Sequence, residues 1–248
     1  MIELDIDGFI AVMKLNNPPV NAICSELLDE LDKKLDELGE GEVRCLILTG
    51  EGKHFAAGAD IKEMKDMSPP EAEKFSKKGQ GVFQRIRELP MPSVAAVSGF
   101  ALGGGMELAM SCDLIICSEG ATFGQPEVGL GVIPGFGGTQ RLESFVGKPF
   151  AKELIFTGRN VDSQEASEKG LVNKVVEEDV LDAAIDLAEK ISSNGPLAVR
   201  CAKKAIDGDS VQDFKTESVE FSRCFETQDQ KEGMEAFLDK RKADFQGK

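Results

Sequence analysis

Tryptophan and tyrosine are missing from this 248-residue chain, and histidine occurs once, at His54. The missing indoles and phenols have no functional reading, but a single imidazole does. With no G-x-S-x-G turn beside it, a serine–histidine pair has no support in the sequence. The six cysteines, at 24, 45, 112, 117, 201 and 224, include no C-x-x-C pair. Metal-ligand spacing is therefore absent, and reduced, mostly buried thiols are expected rather than a disulfide framework. Positive charge is scarce too: 29 Lys and Arg against 44 Asp and Glu leave a net charge of -15. That is the wrong sign for a nucleic-acid or anionic-membrane partner. No apolar run approaches the roughly 18 residues of a membrane span. The acidic start MIELDIDGF is unlike a signal or transit peptide, so a cytoplasmic protein is expected. Neither G-x-x-x-x-G-K-[ST] nor G-x-G-x-x-G occurs, which disfavours P-loop and nicotinamide chemistry.

What is present is a globular composition, 41% hydrophobic and 29% charged, too apolar for a disordered chain. Ile2–Asp7 and Phe9–Leu15 read as strands joined by Asp-Gly, a hairpin signal. Ile23, Leu27, Leu31, Leu35 and Leu38 recur at helical spacing in an acidic stretch, SELLDELDKKLDELGEGE. Val43–Leu48, Ser93–Val97 and Asp113–Cys117 are compact apolar strands, the first two running into glycine turns. Strands feeding glycine turns and then helices predict an α/β core with its working turns at one edge. No strand pattern follows Val176. After about residue 190 the character changes: Pro196 opens a helix, and Phe214, Phe221 and Phe225 stripe one helical face. Met234, Phe237, Leu238 and Phe245 stripe another. A core over 1–190 and a helical region over 191–248 are predicted, the second apolar enough to ask for a partner subunit.

Three segments carry chemistry. In ALGGGMEL, Gly103, Gly104 and Gly105 bare successive amides where a helix begins, with Glu107 in its first turn among apolar neighbours. Such amides can receive a developing negative charge. The glycines can equally serve close packing, with Glu107 capping the helix. In FGQPEVGLGVIPGFGG, Glu127 follows Pro126 and precedes five glycines up to Gly138. Little side-chain bulk there lets a ligand approach the backbone, and the interleaved apolar residues predict that Glu127 points inward. Two inward carboxylates can hold one water and divide acid and base roles. In FAAGADIKEM, small residues expose backbone ahead of a short helix begun by Asp60.

These segments, with LNNPPVNAI (Leu15–Ile23) and KEGMEAFLDKRKADF, stand in the order found in the crotonase superfamily, and the chain most closely resembles its enoyl-CoA hydratases. The resemblance covers essentially the whole chain. It implies a right-handed spiral of ββα repeats followed by a helical trimerisation region, and assembly as a trimer or a dimer of trimers. It places Ala59 and Gly104 at the two oxyanion-hole amides, and Glu107 and Glu127 at the hydratase carboxylates. Ala57, Asp60, Ile61 and Lys62 fall where the family contacts coenzyme A. Gly135 and Gln125 match positions lining the water site. Lys240 matches a C-terminal lysine that can reach CoA phosphates, though it can also be one of many solvated lysines.

The implied reaction is reversible addition of water to a trans-2-enoyl-CoA, giving a 3-hydroxyacyl-CoA in fatty acid metabolism such as β-oxidation. No metal or further cofactor is implied, coenzyme A being part of the substrate. Retention of both glutamates favours hydratase over isomerase. The acidic first helix argues against an RNA-binding relative, and the intact glutamates against a silent scaffold.

Overall fold

The computed structural model describes residues 1–38, 42–208 and 214–248; residues 39–41, at the end of the acidic stretch, lie outside these. Two sheets carry the core. The larger is ordered β1 (Ile2–Asp7), β2 (Ile10–Leu15), β3 (Cys45–Gly50), β4 (Ser93–Val97), β6 (Leu114–Ser118) and β9 (Lys174–Val176). The smaller is ordered β5 (Phe100–Leu102), β7 (Thr122–Gly124) and β8 (Asn160–Asp162). The expected hairpin pairs β1 with β2, Asp7 opposite Ile10, with Gly8 at φ +56°. From β2 to β9 the large sheet is parallel.

The chain repeats one manoeuvre. β4 ends at Val97, turns through Gly99, crosses to the small sheet as β5 and enters helix α4 (Gly104–Ala109). β6 does the same through β7. After β3, Ala56 bridges Ala101 and Ile23 bridges Ala59, so the segment leaving β3 joins the same small layer. Strand, crossing strand, helix is the ββα repeat that the resemblance implied.

Alternate residues of the parallel strands serve opposite faces. Leu46, Leu48, Ala95, Val97, Ile115 and Cys117 enter the main core with helix α1 (Ser25–Glu37) and helix α3 (Pro69–Arg87). Cys45, Ile47, Val94, Ala96 and Ile116 face helix α8 (Val180–Ser192), whose Ala183, Ala184 and Ala188 allow close approach. Both faces are covered, which is why these strands read as unbroken apolar runs rather than alternating ones.

Local signals place the helices. α1 buries Leu27, Leu28, Leu31 and Leu35 and turns its acids outward. α3 starts at a capping box, in which Ser68 and Glu71 satisfy each other's end of the first turn, with Pro69 at the first helical position. Short α2 (Ile61–Met64) separates β3 from α3. Beyond the 3-10 turn Pro126–Leu130 come α5 (Gly138–Val146), α6 (Lys148–Thr157) and α7 (Ser163–Glu168). α9 (Pro196–Ile206), α10 (Phe214–Cys224) and α11 (Gln228–Leu238) follow α8. No described helix is long and apolar enough to cross a membrane.

Candidate active site

The three glycines of ALGGGMEL have separate duties. A Cβ on Gly105 would stand 2.0 Å from the Ala56 carbonyl oxygen, so Gly105 lets α4 press against the small-sheet layer. Gly103 makes the turn into α4 at φ 49° and ψ -124°, a region closed to residues with side chains. Gly104 is the first helical residue, so its amide has no acceptor within α4. A Cβ on Gly104 would lie 3.4 Å from the Ala59 amide nitrogen. The packing reading is realised at Gly105, while the Gly104 amide is left free for an acceptor from outside the helix.

Ala59 supplies the facing donor. Two nearby amides are engaged, Ala57 with the Val20 carbonyl and Asp60 with the Ile23 carbonyl, while the Ala59 amide bonds to no acceptor among the described residues. Gly58 precedes it at φ 99°. Two unengaged amides therefore sit side by side, one from the strand-like segment after β3 and one from the start of α4.

Glu107 is buried, 1% exposed. Its Oε1 accepts the amides of Phe136 at 2.8 Å and Gly138 at 2.6 Å. Burial pushes its carboxyl up to about 7, against the pull of these amides and of the Arg141 guanidinium. Glu127 stands in the first turn of the 3-10 helix. Both of its carboxylate oxygens are buried without a hydrogen-bond partner, so the inward orientation expected from the sequence holds. Burial again pushes it up to about 7; its own amide lowers it and the charge of Glu107 adds to the rise.

Gln125 joins the two carboxylates. Its Nε2 donates to the Gly103 carbonyl at 3.2 Å, and its Oε1 is buried and unpartnered. A Cβ on Gly138 would meet Gln125 Oε1 at 2.5 Å and Glu107 Oε1 at 2.9 Å. A Cβ on Gly103 would meet Glu127 Oε1 at 3.0 Å. Glu107, Gln125 and Glu127 thus converge on one small region beside the two free amides. Unsatisfied acceptors of this kind call for a polar guest.

The remaining expected residues are placed as follows. Asp60 caps α2 through the Lys62 amide at 2.8 Å; Ile61 and Lys62 are exposed and Ala57 is half-buried. The Gly135 carbonyl accepts Ser76 Oγ and Gln80 Nε2, which fastens the glycine-rich loop to α3. Lys240 lies past α11 at φ 55°, and among the described residues its ammonium has no partner; nothing in this single chain brings it to the other site residues. His54 accepts the Phe100 amide and stacks on that ring at 4.3 Å, a structural role. The six cysteines are free thiols. Of the apolar residues thought to turn the loop inward, only Phe136 is buried; Leu130, Val132 and Ile133 are exposed.

Sequence reasoning gave no site role to two residues. Phe136 is wedged between the helices: a Cβ on Gly79 of α3 would lie 2.2 Å from its ring and one on Gly104 3.1 Å away, with Phe75 and Phe83 edge-on. Arg141 donates to the Phe136 carbonyl at 2.8 Å. The signal was a lone cation within the glycine-rich segment.

The family model described as enoyl-CoA hydratase/isomerase matches residues 5–248. The chain is 50% identical to a short-chain-enoyl-CoA hydratase of Clostridium acetobutylicum, over 97% of this chain and 95% of the relative. It is 47% identical to a crotonyl-CoA hydratase of Syntrophomonas wolfei, over 98% and 97%. A crystal structure of an enoyl-CoA hydratase from Bacillus anthracis superposes with a TM-score of 0.95 at 40% identity, covering 100% of this chain and 99% of the other.

Proposed function

The chain belongs to the enoyl-CoA hydratase/isomerase family and its activity is that of an enoyl-CoA hydratase, a hydro-lyase; we propose that Ala59, Gly104, Glu107 and Glu127 carry the reaction. The observation that carries this reading is the meeting of two partly desolvated carboxylates with two unengaged amides.

In the reaction, the thioester oxygen takes the place between the Ala59 and Gly104 amides. As C2 and C3 react the oxygen becomes enolate-like, and fixed donors stabilise that charge without reorganising; each is worth on the order of 3 kcal/mol. Glu107 and Glu127 grip one water. One carboxylate takes its proton as the water oxygen bonds to C3, and a proton is delivered to C2 on the same face. With both groups pushed up to about 7, each changes protonation near neutrality, and the charge of Glu107 opposes ionisation of Glu127. Gln125, with its free Oε1, steadies the water. Coenzyme A lies along Ala57, Asp60, Ile61 and Lys62, and no other cofactor enters the scheme.

Assembly as a trimer or dimer of trimers belongs to the same reading. Support comes from Phe214, Phe221, Phe225, Phe237 and Leu238, all exposed on the last helices of the single chain. Lys240 reaches CoA phosphates only if a neighbouring subunit supplies it. A cytoplasmic location is also part of this reading, checked by cell fractionation.

The deciding experiment follows crotonyl-CoA hydration by the purified protein, then longer enoyl-CoAs, then a 3-enoyl-CoA. Rapid hydration with slow double-bond migration is expected. Migration without hydration would replace the hydratase reading with an isomerase.

A further inference from the structure

Arg141 is half-buried and, among the described residues, forms no ion pair. Its partners are neutral: Nη1 donates to the Phe136 carbonyl at 2.8 Å and Nη2 to Gln84 Oε1 on α3 at 3.3 Å. The other end of Phe136, its amide, holds Glu107, together with the amide of Gly138. Between them, a Cβ on Gly137 would fall 2.1 Å from Arg141 Nη1. The loop 136–138 therefore wraps the guanidinium on one side and the catalytic carboxylate on the other. An unpaired, partly desolvated cation is costly to keep unless its charge is used.

We propose that Arg141 is a positioning residue for the hydration: it clamps the 136–138 loop so that both amides stay on Glu107, and it sets a fixed cation beside that carboxylate. The proposal rests on the hydratase reading for its substrate and on Glu107 for its target. The charged side chains acting on Glu107 are Arg141 from α5 and Glu127 from the 3-10 helix, while Arg87 at the end of α3 acts on Arg141. Glu127 favours the protonated form of Glu107 and Arg141 the ionised form, so the cation offsets the paired carboxylate.

The test compares pH profiles of crotonyl-CoA hydration for the wild type, Arg141→Lys and Arg141→Gln. Arg141→Gln should lose on the order of tenfold or more in kcat with little change in KM, as expected for a displaced catalytic group. The limb assigned to Glu107 should move up by about one pH unit. Arg141→Lys keeps the charge and loses the fork, so its limb stays while kcat still falls. A Gln variant with an unmoved limb, or with wild-type kcat, overturns the proposal. If the Gln variant does not fold, the Lys variant decides alone, and an upward limb with the cation present defeats it. A second readout needs no turnover: the acid carbonyl band of Glu107 in the infrared, identified by its absence in Glu107→Gln. If that band titrates higher without Arg141's charge while crotonyl-CoA is untouched, Arg141 keeps its role and the substrate assignment falls.

Discussion

Glu127 Oε1 lies 3.0 Å from the point where a Cβ would stand on Gly103. The turn that launches α4 and the carboxylate from the 3-10 helix therefore occupy space neither can share. Gly103→Ala meets two obstacles: the backbone at φ 49°, which costs about 1–3 kcal/mol, and the carboxylate itself. The variant is expected to lose on the order of 10²-fold or more in kcat, the scale for a misplaced acid–base group, with a modest drop in melting temperature. Near-wild-type turnover would show that the carboxylate need not sit there.

Gly104→Ala probes the amides. Its methyl would sit 3.1 Å from the Phe136 ring and 3.4 Å from the Ala59 nitrogen, in the space proposed for the thioester oxygen. Removing one such donor typically costs about 10²–10³ in kcat, and a blocked hole should cost at least as much. Binding of coenzyme A alone, measured by calorimetry, should change little. Equal losses in CoA binding and kcat would mean that the site had collapsed rather than lost its oxyanion donor.

Glu107→Gln and Glu127→Gln are each expected to lower kcat by about 10²–10⁴. The double variant should be far less impaired than the product of the two losses, because the carboxylates act on one water as a unit. Strictly multiplicative losses in single-turnover kinetics would assign them to separate steps. Full activity in the double variant would remove both from the mechanism.

How much of this was legible beforehand follows from what each signal depends on. The Asp7-Gly8 hairpin and β4 were readable because a two-residue turn and a five-residue apolar run are complete local signals. The small sheet was not: Phe100–Leu102, Thr122–Gly124 and Asn160–Asp162 are too short to show a two-residue period. Glu127 was readable as inward from the apolar residues interleaved with its glycines and prolines, yet the want of a hydrogen-bond partner for its buried carboxylate emerges only when α4 and the 3-10 helix meet. Arg141 showed only as a lone cation after the glycines, and its role was hidden because its nearest partner is a backbone carbonyl, which every residue has. The resemblance supplied Ala59 and Gly104; the structure adds why Gly103 and Gly105 flank Gly104.

The buried carboxylates should also set the pH dependence of stability. Glu127 binds its proton more tightly folded than unfolded, because burial pushes it up to about 7 from the ordinary 4.5. Between those values the folded state holds more protons, so this contribution is complete below the unfolded value and fades as pH rises through the folded one. Glu127→Gln cannot titrate. Its advantage in melting temperature over the wild type should therefore be small near about pH 5 and reach several degrees near about pH 8, corresponding to roughly 2 kcal/mol. Calorimetric melting at the two pH values decides it. A difference independent of pH would mean that folding leaves the proton affinity of Glu127 unchanged.

The last helices raise the question of what covers them. Phe221 on α10 and Phe225 just beyond it lie 5.2 Å apart with their rings tilted by 59° while remaining 65% and 47% exposed, and Phe237 and Leu238 at the end of α11 are 83% and 77% exposed. Burying one such phenylalanine is worth about 1.5–3 kcal/mol, so a face carrying several is a strong drive to associate. Phe221→Glu with Phe237→Glu should shift the protein from trimer or hexamer toward monomer in light scattering. Their side chains make few contacts within the chain, so the far-ultraviolet circular dichroism should hold. Activity should fall with assembly if a neighbour's Lys240 is needed at the CoA phosphates, and the loss should appear mainly in KM. A wild-type protein that is monomeric at working concentration would instead leave these rings to some other partner and remove Lys240 from the site.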